Sequence, residues 1–321
     1  MKDQITIVEV SPRDGLPELC SAATVADKVS YIEGLAKAGV KKIECVAFTH
    51  PRLIPEHADA EKVMAGLEKK HGLTYIGLVP NEVGCRRAVT AGVDEIVTLV
   101  AASDTFTRVN AGKSLKELMN KTLPAVFDVA NQSHITVRSY ILTAFGCPYS
   151  GKIPFDDVMQ LALKLNYMGA KEIVLADTTG MANPVQVKKL IELMLALKLD
   201  SKLAVHLHNT RGTALLNCYA AFEAGVRIFD TSLGGMSGTP YGAMQHAFGY
   251  WNASTEDLVH LFEDMGVETG IDLDRLIDCV KVGERLAKTP LPGHILRAKT
   301  SSKLAKVPSN PSRISEMTSG D

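Results

Sequence analysis

A short phrase that recurs four times constrains the fold of this chain more than any other feature of its sequence. The copies read KAGVKKIE at 37–44, TAGVDEIV at 90–97, YMGAKEIV at 167–174 and EAGVRIFD at 223–230. Each copy has the pattern of a helix end, a glycine suited to a left-handed cap, and an entering strand. The intervals leave room for one or two β-α units between successive copies, so the repeat indicates an alternating α/β architecture.

The segments between the copies alternate between short apolar runs and longer amphipathic ones. The apolar runs predict strands at 5–10, 42–48, 74–80, 95–101, 136–144, 172–177, 203–208 and 228–233. The amphipathic runs predict helices at 24–38, 58–69, 81–91, 114–132, 155–168, 183–198, 212–224 and 254–266. Eight strands and eight helices predict a (β/α)8 TIM barrel. A doubly wound open sheet is the alternative, but no GxGxxG follows the first strand to support it.

The barrel is predicted to form a single domain over residues 1–299. This domain includes a further helix at 272–288, which follows the last helix of the barrel. From Thr300 onwards the chain is rich in serine, lysine and proline, so residues 300–321 are predicted to form a disordered tail.

Composition argues against several classes of function. The chain of 321 residues has a formal net charge of −1, which gives no electrostatic reason to bind nucleic acid. No apolar run approaches the roughly 18 residues of a membrane span, so no membrane partner is expected. The six cysteines include no CxxC pair, and the opening segment MKDQITIVEV leads directly into a strand rather than a signal peptide. We therefore expect a cytoplasmic protein without disulfides.

Polar side chains cluster at the predicted carboxyl ends of the strands, where TIM barrels carry their chemistry. They are Arg13 and Asp14 after strand 1, Glu44 in strand 2, Asp177, Thr178 and Thr179 at the end of strand 6, and His206 and His208 in strand 7. Strand 8 leads into the glycine-rich loop SLGGMSGTPYGA. We interpret all the charged residues within the strands as lying near this one mouth of the barrel.

Two histidines stand one residue apart in the stretch AVHLHNT. Side chains alternate along a strand, so His206 and His208 would project from one face while the intervening residues pack outward. Such a pair is either two buried imidazoles with separate partners or two ligands of one cation. Together with Asp14 they supply one carboxylate and two imidazoles, which suits a partly hydrated Mg²⁺ or Mn²⁺ ion.

Six stretches of the chain follow the sequence pattern of a known family. They read VEVSPRDGL at 8–16, KKIECVAF at 41–48, GCPYSGKI at 146–153, EIVLADTTG at 172–180, AVHLHNTRG at 204–212 and STEDLVHLFEDMG at 254–266. Over roughly residues 4–300 the chain resembles 3-hydroxy-3-methylglutaryl-CoA lyase, within the metal-dependent aldolase-like barrels that share an Asp-Arg motif on strand 1. The arginine–aspartate pair with the HxH motif is specific to the superfamily, and GCPYxGK with the TEDLV helix indicates the lyase branch.

The resemblance implies a role for each matching residue. The metal ligands would be Asp14, His206, His208 and Asn252. Arg13 would polarise the carbonyl and stabilise the enolate that forms on cleavage. Glu44 would orient the ligands, and Asp177 would take part in proton transfer near the substrate hydroxyl. The substrate contacts are assigned to Arg13, Thr178, Gly238 and Tyr241.

The loop after strand 8 departs from the family pattern. Where the family reads GGCPYA, this chain reads SGTPYG, with Thr239 at the position of the cysteine that acts in proton transfer. A hydroxyl titrates several units above a thiol, so Thr239 is a poor general acid. The proton would then come from elsewhere, such as His246, Tyr241 or water.

Further departures lie on the substrate side of the predicted site. Pro17 and Ala47 replace polar residues usual in the family, and the segment HAFGYW at 246–251 is an insertion. The metal site is thus kept while the substrate side has changed. This pattern suggests either an altered substrate or rate, or an enzyme whose proton has another source.

The resemblance implies retro-Claisen cleavage of a 3-hydroxyacyl-CoA thioester to acetyl-CoA and a 3-keto acid, in leucine degradation. It also implies a homodimer or a higher homo-oligomer. An acyl-CoA:2-keto-acid condensing transferase of the isopropylmalate synthase type is an alternative, which the HLHN spelling of strand 7 favours and the lyase-type GCPYSGK and TEDLV stretches oppose. A catalytically impaired homologue is a second alternative, supported by Thr239 alone.

Overall fold

Eight parallel strands form a closed barrel in the computed structural model of the protein, which describes residues 3–20, 22–237 and 251–304. The strands are β1 (Thr6–Glu9), β2 (Lys42–Ala47), β3 (Thr74–Leu78), β4 (Glu95–Ala101), β5 (Thr136–Leu142), β6 (Glu172–Asp177), β7 (Lys202–Leu207) and β8 (Ile228–Thr231). Each strand pairs with the next along the chain, and β8 pairs with β1. This closure confirms the predicted TIM barrel and excludes the open doubly wound sheet.

Helices surround the barrel and continue beyond its last strand. They are α1 (Leu16–Leu19), α2 (Val25–Lys37), α3 (Ala60–Gly66), α4 (Glu82–Ala91), α5 (Asp104–Ala111), α6 (Leu115–Glu117), α7 (Leu123–Gln132), α8 (Phe155–Met168), α9 (Pro184–Ala196), α10 (Ala214–Glu223), α11 (Thr255–Asp264), α12 (Leu273–Ala287), α13 (Ile295–Ala298) and α14 (Ser301–Leu304). Short 3-10 turns lie at Pro55–His57 and Leu233–Gly235. None of these described helices combines the length and the apolar composition that a bilayer crossing requires.

The predicted elements agree with the observed ones to within a few residues at each end. The predicted helix at 114–132 is divided by a π-helical turn at Leu118–Thr122. Four short helices were not predicted, namely α1, α5, α13 and α14. Helix α14 lies at the start of the predicted tail, and residues 305–321 lie outside the described part of the chain.

The glycines of the repeated phrase have the backbone conformation that the repeat requires. Gly39, Gly92, Gly169 and Gly225 have φ angles of 103°, 75°, 102° and 109°. This left-handed region costs glycine little, so each copy of the phrase can end its helix and turn directly into a strand.

The alternation of residues along the strands divides the core into two layers. Val97, Val174 and Ala204 belong to the layer inside the barrel. Val205 and Leu207 belong to the layer between the barrel and its helices. Strand β7 therefore directs Ala204 and the histidines that follow it inward, as its sequence predicts.

Charged side chains also fill the lower part of the barrel, and the prediction that all strand charges lie near one mouth is wrong. Lys42, Glu95 and Glu172 are the first residues of their strands, and Arg138 is the third of β5. They pair with one another inside the barrel: Lys42 Nζ lies 3.1 Å from both Glu95 and Glu172, and Arg138 Nη2 lies 2.6 Å from Glu172. This mutual pairing offsets the cost of burial.

The segment after α12 holds the loop that follows β8. Gly234 has a φ of 64°, and a Cβ atom there would collide with Leu291. Its N–H donates to Glu256 at 2.9 Å, and its carbonyl accepts from Gly293 N–H at 3.2 Å. The loop that leads towards Asn252 is thereby fixed at its start by α11 and by the carboxyl-terminal segment.

The cysteines agree with the absence of disulfides expected from the sequence. All six are free thiols, and all six are buried. They act as small apolar side chains of the core.

Candidate metal centre and active site

Three side chains from distant parts of the sequence meet at the carboxyl-terminal mouth of the barrel. Asp14 lies in the turn after β1, His206 is in β7, and His208 directly follows that strand. Their ligand atoms all lie within 4.8 Å of one another. The Nε2 atoms of the two histidines are 3.0 Å apart, and His206 Nε2 is 4.0 Å from Asp14 Oδ2.

The turn that carries Asp14 depends on a glycine. Gly15 has a φ of 127°, and a Cβ atom there would lie 2.8 Å from Ser237 N and 2.9 Å from Met236. Only glycine allows the β1 turn to approach the loop after β8 this closely. This close approach places Asp14 and Gly15 beside Met236 and Asn252, which lie before and after the loop that follows β8.

Asn252 completes this side of the centre. Its Nδ2 donates to Asp14 Oδ2 at 2.8 Å and to the Met236 carbonyl at 2.9 Å. Its backbone forms a bridge with His208. Asn252 Oδ1 is buried and has no hydrogen-bond partner among the described residues, so an oxygen ligand remains available beside the carboxylate and the imidazoles.

The donor set fits a divalent cation. Burial, reinforced by the charge of Arg13, lowers the pKa of His208 to about 3, so this imidazole is neutral at physiological pH. Although burial favours the neutral carboxyl, the charge of Arg13 lowers the pKa of Asp14 below its ordinary value. Neutral imidazoles and an ionised carboxylate are the forms that bind metal, and two imidazole nitrogens 3.0 Å apart need a proton or a cation between them.

Arg13 lies beside this centre and is held by two carboxylates. Its Nε donates to Glu44 Oε1 at 2.5 Å, and its Nη1 donates to Asp14 Oδ1 at 3.0 Å. Burial opposes the charge, but Glu44 and Asp14 raise the pKa of Arg13 above its ordinary value. The mouth therefore holds a fixed positive charge next to the three convergent side chains.

Asp177 ends β6 as a buried carboxylate. Its Oδ1 accepts from the N–H groups of Met181 at 2.7 Å and Ala182 at 3.1 Å. Its Oδ2 is buried and has no partner among the described residues. Burial raises the pKa of Asp177 to about 6, which is the range in which a side chain exchanges protons near neutral pH.

Thr178, predicted to contact substrate, follows Asp177 on the same loop. Its side chain is buried, and its Oγ1 accepts from Thr143 N–H at 2.8 Å. The hydroxyl proton can still be donated to another group. Its contact with substrate stays a prediction.

A buried network behind the centre was missed by the sequence reasoning. The Tyr140 hydroxyl contacts Glu44 Oε2 at 3.2 Å and donates a short hydrogen bond to Asp230, which also pairs with Arg138. Burial opposes ionisation of Asp230, but Arg138 holds its pKa well below the usual range. Charged and hydroxyl residues within apolar strands, such as RSY in β5 and FDT in β8, were the available signal.

Three predicted site residues lie outside the described part of the chain. They are Gly238, Thr239 and Tyr241. The same holds for His246 and for all of the inserted segment 246–251 except Trp251. The roles assigned to these residues therefore stay predictions.

The HMGL-like family model matches residues 4–282 of the chain. The chain belongs to the HMG-CoA lyase family. It is 38% identical over 299 residues to hydroxymethylglutaryl-CoA lyase YngG of Bacillus subtilis, and the match covers 93% of this chain and 98% of that protein. Because the identity extends over nearly the whole of both proteins, this family member is a carbon–carbon lyase.

The chain is also similar to two further lyases, one of which is named for two substrates and one of which was solved with coenzyme A. The chain is 35% identical over 283 residues to the 3-hydroxy-3-isohexenylglutaryl-CoA/hydroxy-methylglutaryl-CoA lyase of Pseudomonas aeruginosa, covering 88% of this chain and 92% of that protein. An HMG-CoA lyase from Acinetobacter baumannii, solved in complex with coenzyme A and 3-methylmalate, superposes with a TM-score of 0.88 at 35% identity. That superposition covers 95% of this chain and 98% of the neighbour.

Proposed function

We propose that this HMG-CoA lyase family member cleaves a 3-hydroxy-3-methylglutaryl-CoA-like thioester to acetyl-CoA and a 3-keto acid, with a divalent cation at Asp14, His206 and His208. The observation that carries the proposal is the convergence of these three ligands beside the fixed charge of Arg13. The coenzyme A complex of the similar A. baumannii lyase supports an acyl-CoA substrate.

The cation is proposed to be Mg²⁺ or Mn²⁺, with Asn252 Oδ1 as a further ligand. A mixed set of carboxylate, amide and imidazole donors suits such ions when water completes the coordination. When bound, the cation supplies positive charge that orients the substrate oxygens and eases loss of the hydroxyl proton.

Asp177 is proposed to take up the proton of the substrate 3-hydroxyl. Its buried Oδ2 has no partner among the described residues, and its pKa of about 6 leaves it ionised at neutral pH. As the hydroxyl proton leaves, the carbon–oxygen double bond of the keto acid forms and the adjacent carbon–carbon bond breaks. The electron pair of that bond then passes to the thioester as an enolate.

Arg13 is proposed to stabilise this enolate. Glu44 and Asp14 hold its guanidinium before the substrate arrives, so little reorganisation accompanies the appearance of negative charge. The enolate becomes acetyl-CoA when its carbon gains a proton. Thr239 is a poor donor for that step, so we assign the proton to His246, Tyr241 or water.

The acyl group of the substrate is proposed to be a branched group of the 3-hydroxyglutaryl type. The similar P. aeruginosa lyase is named for a substrate with a longer branch as well as for hydroxymethylglutaryl-CoA. Ala47 lies at the end of β2 and presents only a methyl group where the family usually has a polar side chain. This change favours a substrate whose acyl group differs from that of 3-hydroxy-3-methylglutaryl-CoA near β2.

The proposal is tested by assaying a panel of 3-hydroxyacyl-CoA thioesters with Mg²⁺ and with Mn²⁺, following release of acetyl-CoA. We expect cation-dependent cleavage of at least one branched 3-hydroxyglutaryl-type thioester. Release of free CoA from acetyl-CoA and 2-keto acids, without cleavage of any thioester, would instead identify a condensing transferase. Cation binding with no reaction in either assay would identify an impaired homologue.

A further inference from the structure

The ring of His206 lies between two polar neighbours, one at each nitrogen. On the mouth side, its Nε2 faces His208 Nε2 at 3.0 Å. On the opposite side, its Nδ1 lies 3.6 Å from Oδ2 of Asp230, a side chain that is only 2% exposed. The edge of the ring also contacts Tyr140, with the two ring centroids 5.5 Å apart. Asp230 thus faces the nitrogen of His206 that is opposite the proposed metal-binding nitrogen.

Asp230 is held in place by donors on both of its oxygens. Arg138 donates from Nη2 to Oδ1 at 2.8 Å and from Nη1 to Oδ2 at 3.2 Å. The Tyr140 hydroxyl donates to Oδ2. Because a carboxylate that receives all these donors is ionised, Asp230 can only accept hydrogen bonds.

The arginine that holds Asp230 is itself fixed from the bottom of the barrel. Arg138 is completely buried, and its Nε donates to Glu172 Oε1 at 2.7 Å. The other oxygen of Glu172 pairs with Lys42 at 3.1 Å, and Lys42 also pairs with Glu95. This chain of ion pairs leaves Asp230 little freedom to turn away from His206.

An acceptor at Nδ1 decides which tautomer a neutral histidine adopts. A proton on Nδ1 can interact with Asp230, whereas an Nδ1 lone pair would face the carboxylate repulsively. The Nδ1–H tautomer leaves the Nε2 lone pair directed at the mouth, as a metal ligand requires. In the cation-free protein this lone pair would accept a hydrogen bond from the Nε2–H group of His208, which accounts for the 3.0 Å separation of the two nitrogens.

We propose that Asp230 is a positioning residue that, held by Arg138 and Tyr140, sets the Nδ1–H tautomer of His206 and so prepares the cation site. The inference rests on the proposed metal-dependent function. Its test is chosen so that the tautomer can be read without any metal.

The variant Asp230→Asn provides the perturbation. Arg138 donates to both oxygens of Asp230, so the amide nitrogen of asparagine must replace one of them. If the amide nitrogen takes the Oδ2 position, it replaces the acceptor of the longer Arg138 contact, which is the weaker of the two. The amide nitrogen can also donate to the Tyr140 hydroxyl oxygen there, so asparagine is expected to adopt this orientation. There the amide N–H faces His206 Nδ1 and favours the Nε2–H tautomer, which blocks metal binding. A similar carboxylate-to-amide change inverts the histidine tautomer in serine proteases.

Glu95→Gln serves as the matched control. Glu95 is a buried carboxylate of the same chain of ion pairs, but it contacts Lys42 rather than a histidine. Both variants remove one buried negative charge. Only Asp230→Asn changes the group that faces His206.

The experiment compares wild type, Asp230→Asn and Glu95→Gln by two measurements. Long-range ¹H–¹⁵N spectra of histidine-labelled, metal-free protein report the tautomer of His206, with assignment from a His206→Gln variant. Calorimetric titration with Mn²⁺ reports affinity. We expect Nδ1–H in wild type and Glu95→Gln, Nε2–H in Asp230→Asn, and a Kd for Mn²⁺ raised roughly 10–100-fold in Asp230→Asn alone.

Two results would overturn the inference. One is an Nε2–H tautomer of His206 in the metal-free wild type, which decides the matter even if Asp230→Asn fails to fold. The other is an equal loss of Mn²⁺ affinity in Glu95→Gln, which would assign the effect to interior charge alone. Failure of the proposed function gives a different result: wild type that binds no Mn²⁺, with the tautomers still measurable.

Discussion

Replacing Arg13 with lysine should slow cleavage strongly and leave cation binding close to that of wild type. Arg13 donates from Nε to Glu44 at 2.5 Å and from Nη1 to Asp14 at 3.0 Å. The planar guanidinium can hold both carboxylates and still direct an N–H group at a substrate oxygen. A lysine ammonium is a single point of charge on a more flexible stem, so the variant keeps the charge but loses its placement.

The expected magnitude follows from the number of contacts that the guanidinium makes. Loss of one preorganised donor to a developing oxyanion typically costs about 2.7–4 kcal/mol, or roughly 10²–10³ in kcat. Lysine also cannot hold Glu44 and Asp14 together, so the fall in kcat should be on the order of 10²–10⁴. Steady-state release of acetyl-CoA at saturating cation measures kcat, and calorimetry measures the cation affinity.

Arg87→Lys is the matched control for this variant. Arg87 likewise makes two charged contacts, both with Glu61, at 2.7 and 3.1 Å, but it lies outside the proposed centre. Its kcat should stay within about threefold of wild type. A kcat for Arg13→Lys that is equally unaffected would refute the enolate-stabilising role, and so would a fall explained entirely by lost cation binding.

Three other variants test separate parts of the site. Asp177→Asn should abolish cleavage yet stabilise the fold, because burial raises the pKa of Asp177 from 3.8 to about 6 in the native state. The native carboxylate therefore costs about 2–3 kcal/mol above pH 6 and nothing below about pH 4, so the gain in Tm should be present at pH 8 and absent at pH 4. Thr239→Cys should speed cleavage of 3-hydroxy-3-methylglutaryl-CoA by at least about tenfold, because a thiol at this position is a better proton donor than the hydroxyl; an unchanged rate would show that proton delivery to the enolate does not limit turnover. Asn252→Ala should weaken Mn²⁺ binding roughly tenfold by calorimetry, since it removes the support of Asp14; unchanged affinity would exclude the amide from the site.

The barrel was predictable because its signals are local. The glycines of the repeated phrase, Gly39 among them, have the left-handed conformation that their neighbours require. The strands and main helices follow from hydrophobic periodicity. Helices α1 and α5 were not predicted, since each is a short excursion within a loop. In α5 the Ser103 side chain caps the helix by accepting from Phe106 N–H, and that cap was the available signal.

The mouth of the barrel was predictable from the same logic, because the carboxyl ends of parallel strands converge. This principle brought Asp14 to His206 and His208 without any tertiary information. Asn252 follows no strand end, and its position depends on the path of a loop, so only the family resemblance indicated it.

The interior network was not predictable in the same way. Arg138 and Asp230 lie 92 residues apart in the sequence and meet across the barrel. An isolated charge in an apolar strand is usually attributed to a strand end, because burial without a partner is costly. Its partner becomes visible only when the strands close into a barrel.

The most direct test of the account is whether bound cation and cleavage are lost together when the two histidines are removed. The measurement is metal content per chain and acetyl-CoA release for wild type and for the His206→Ala, His208→Ala double variant. The account predicts about one Mn²⁺ per chain and cation-dependent cleavage in wild type, and neither in a double variant that remains folded. Full occupancy or retained cleavage in the double variant would contradict it.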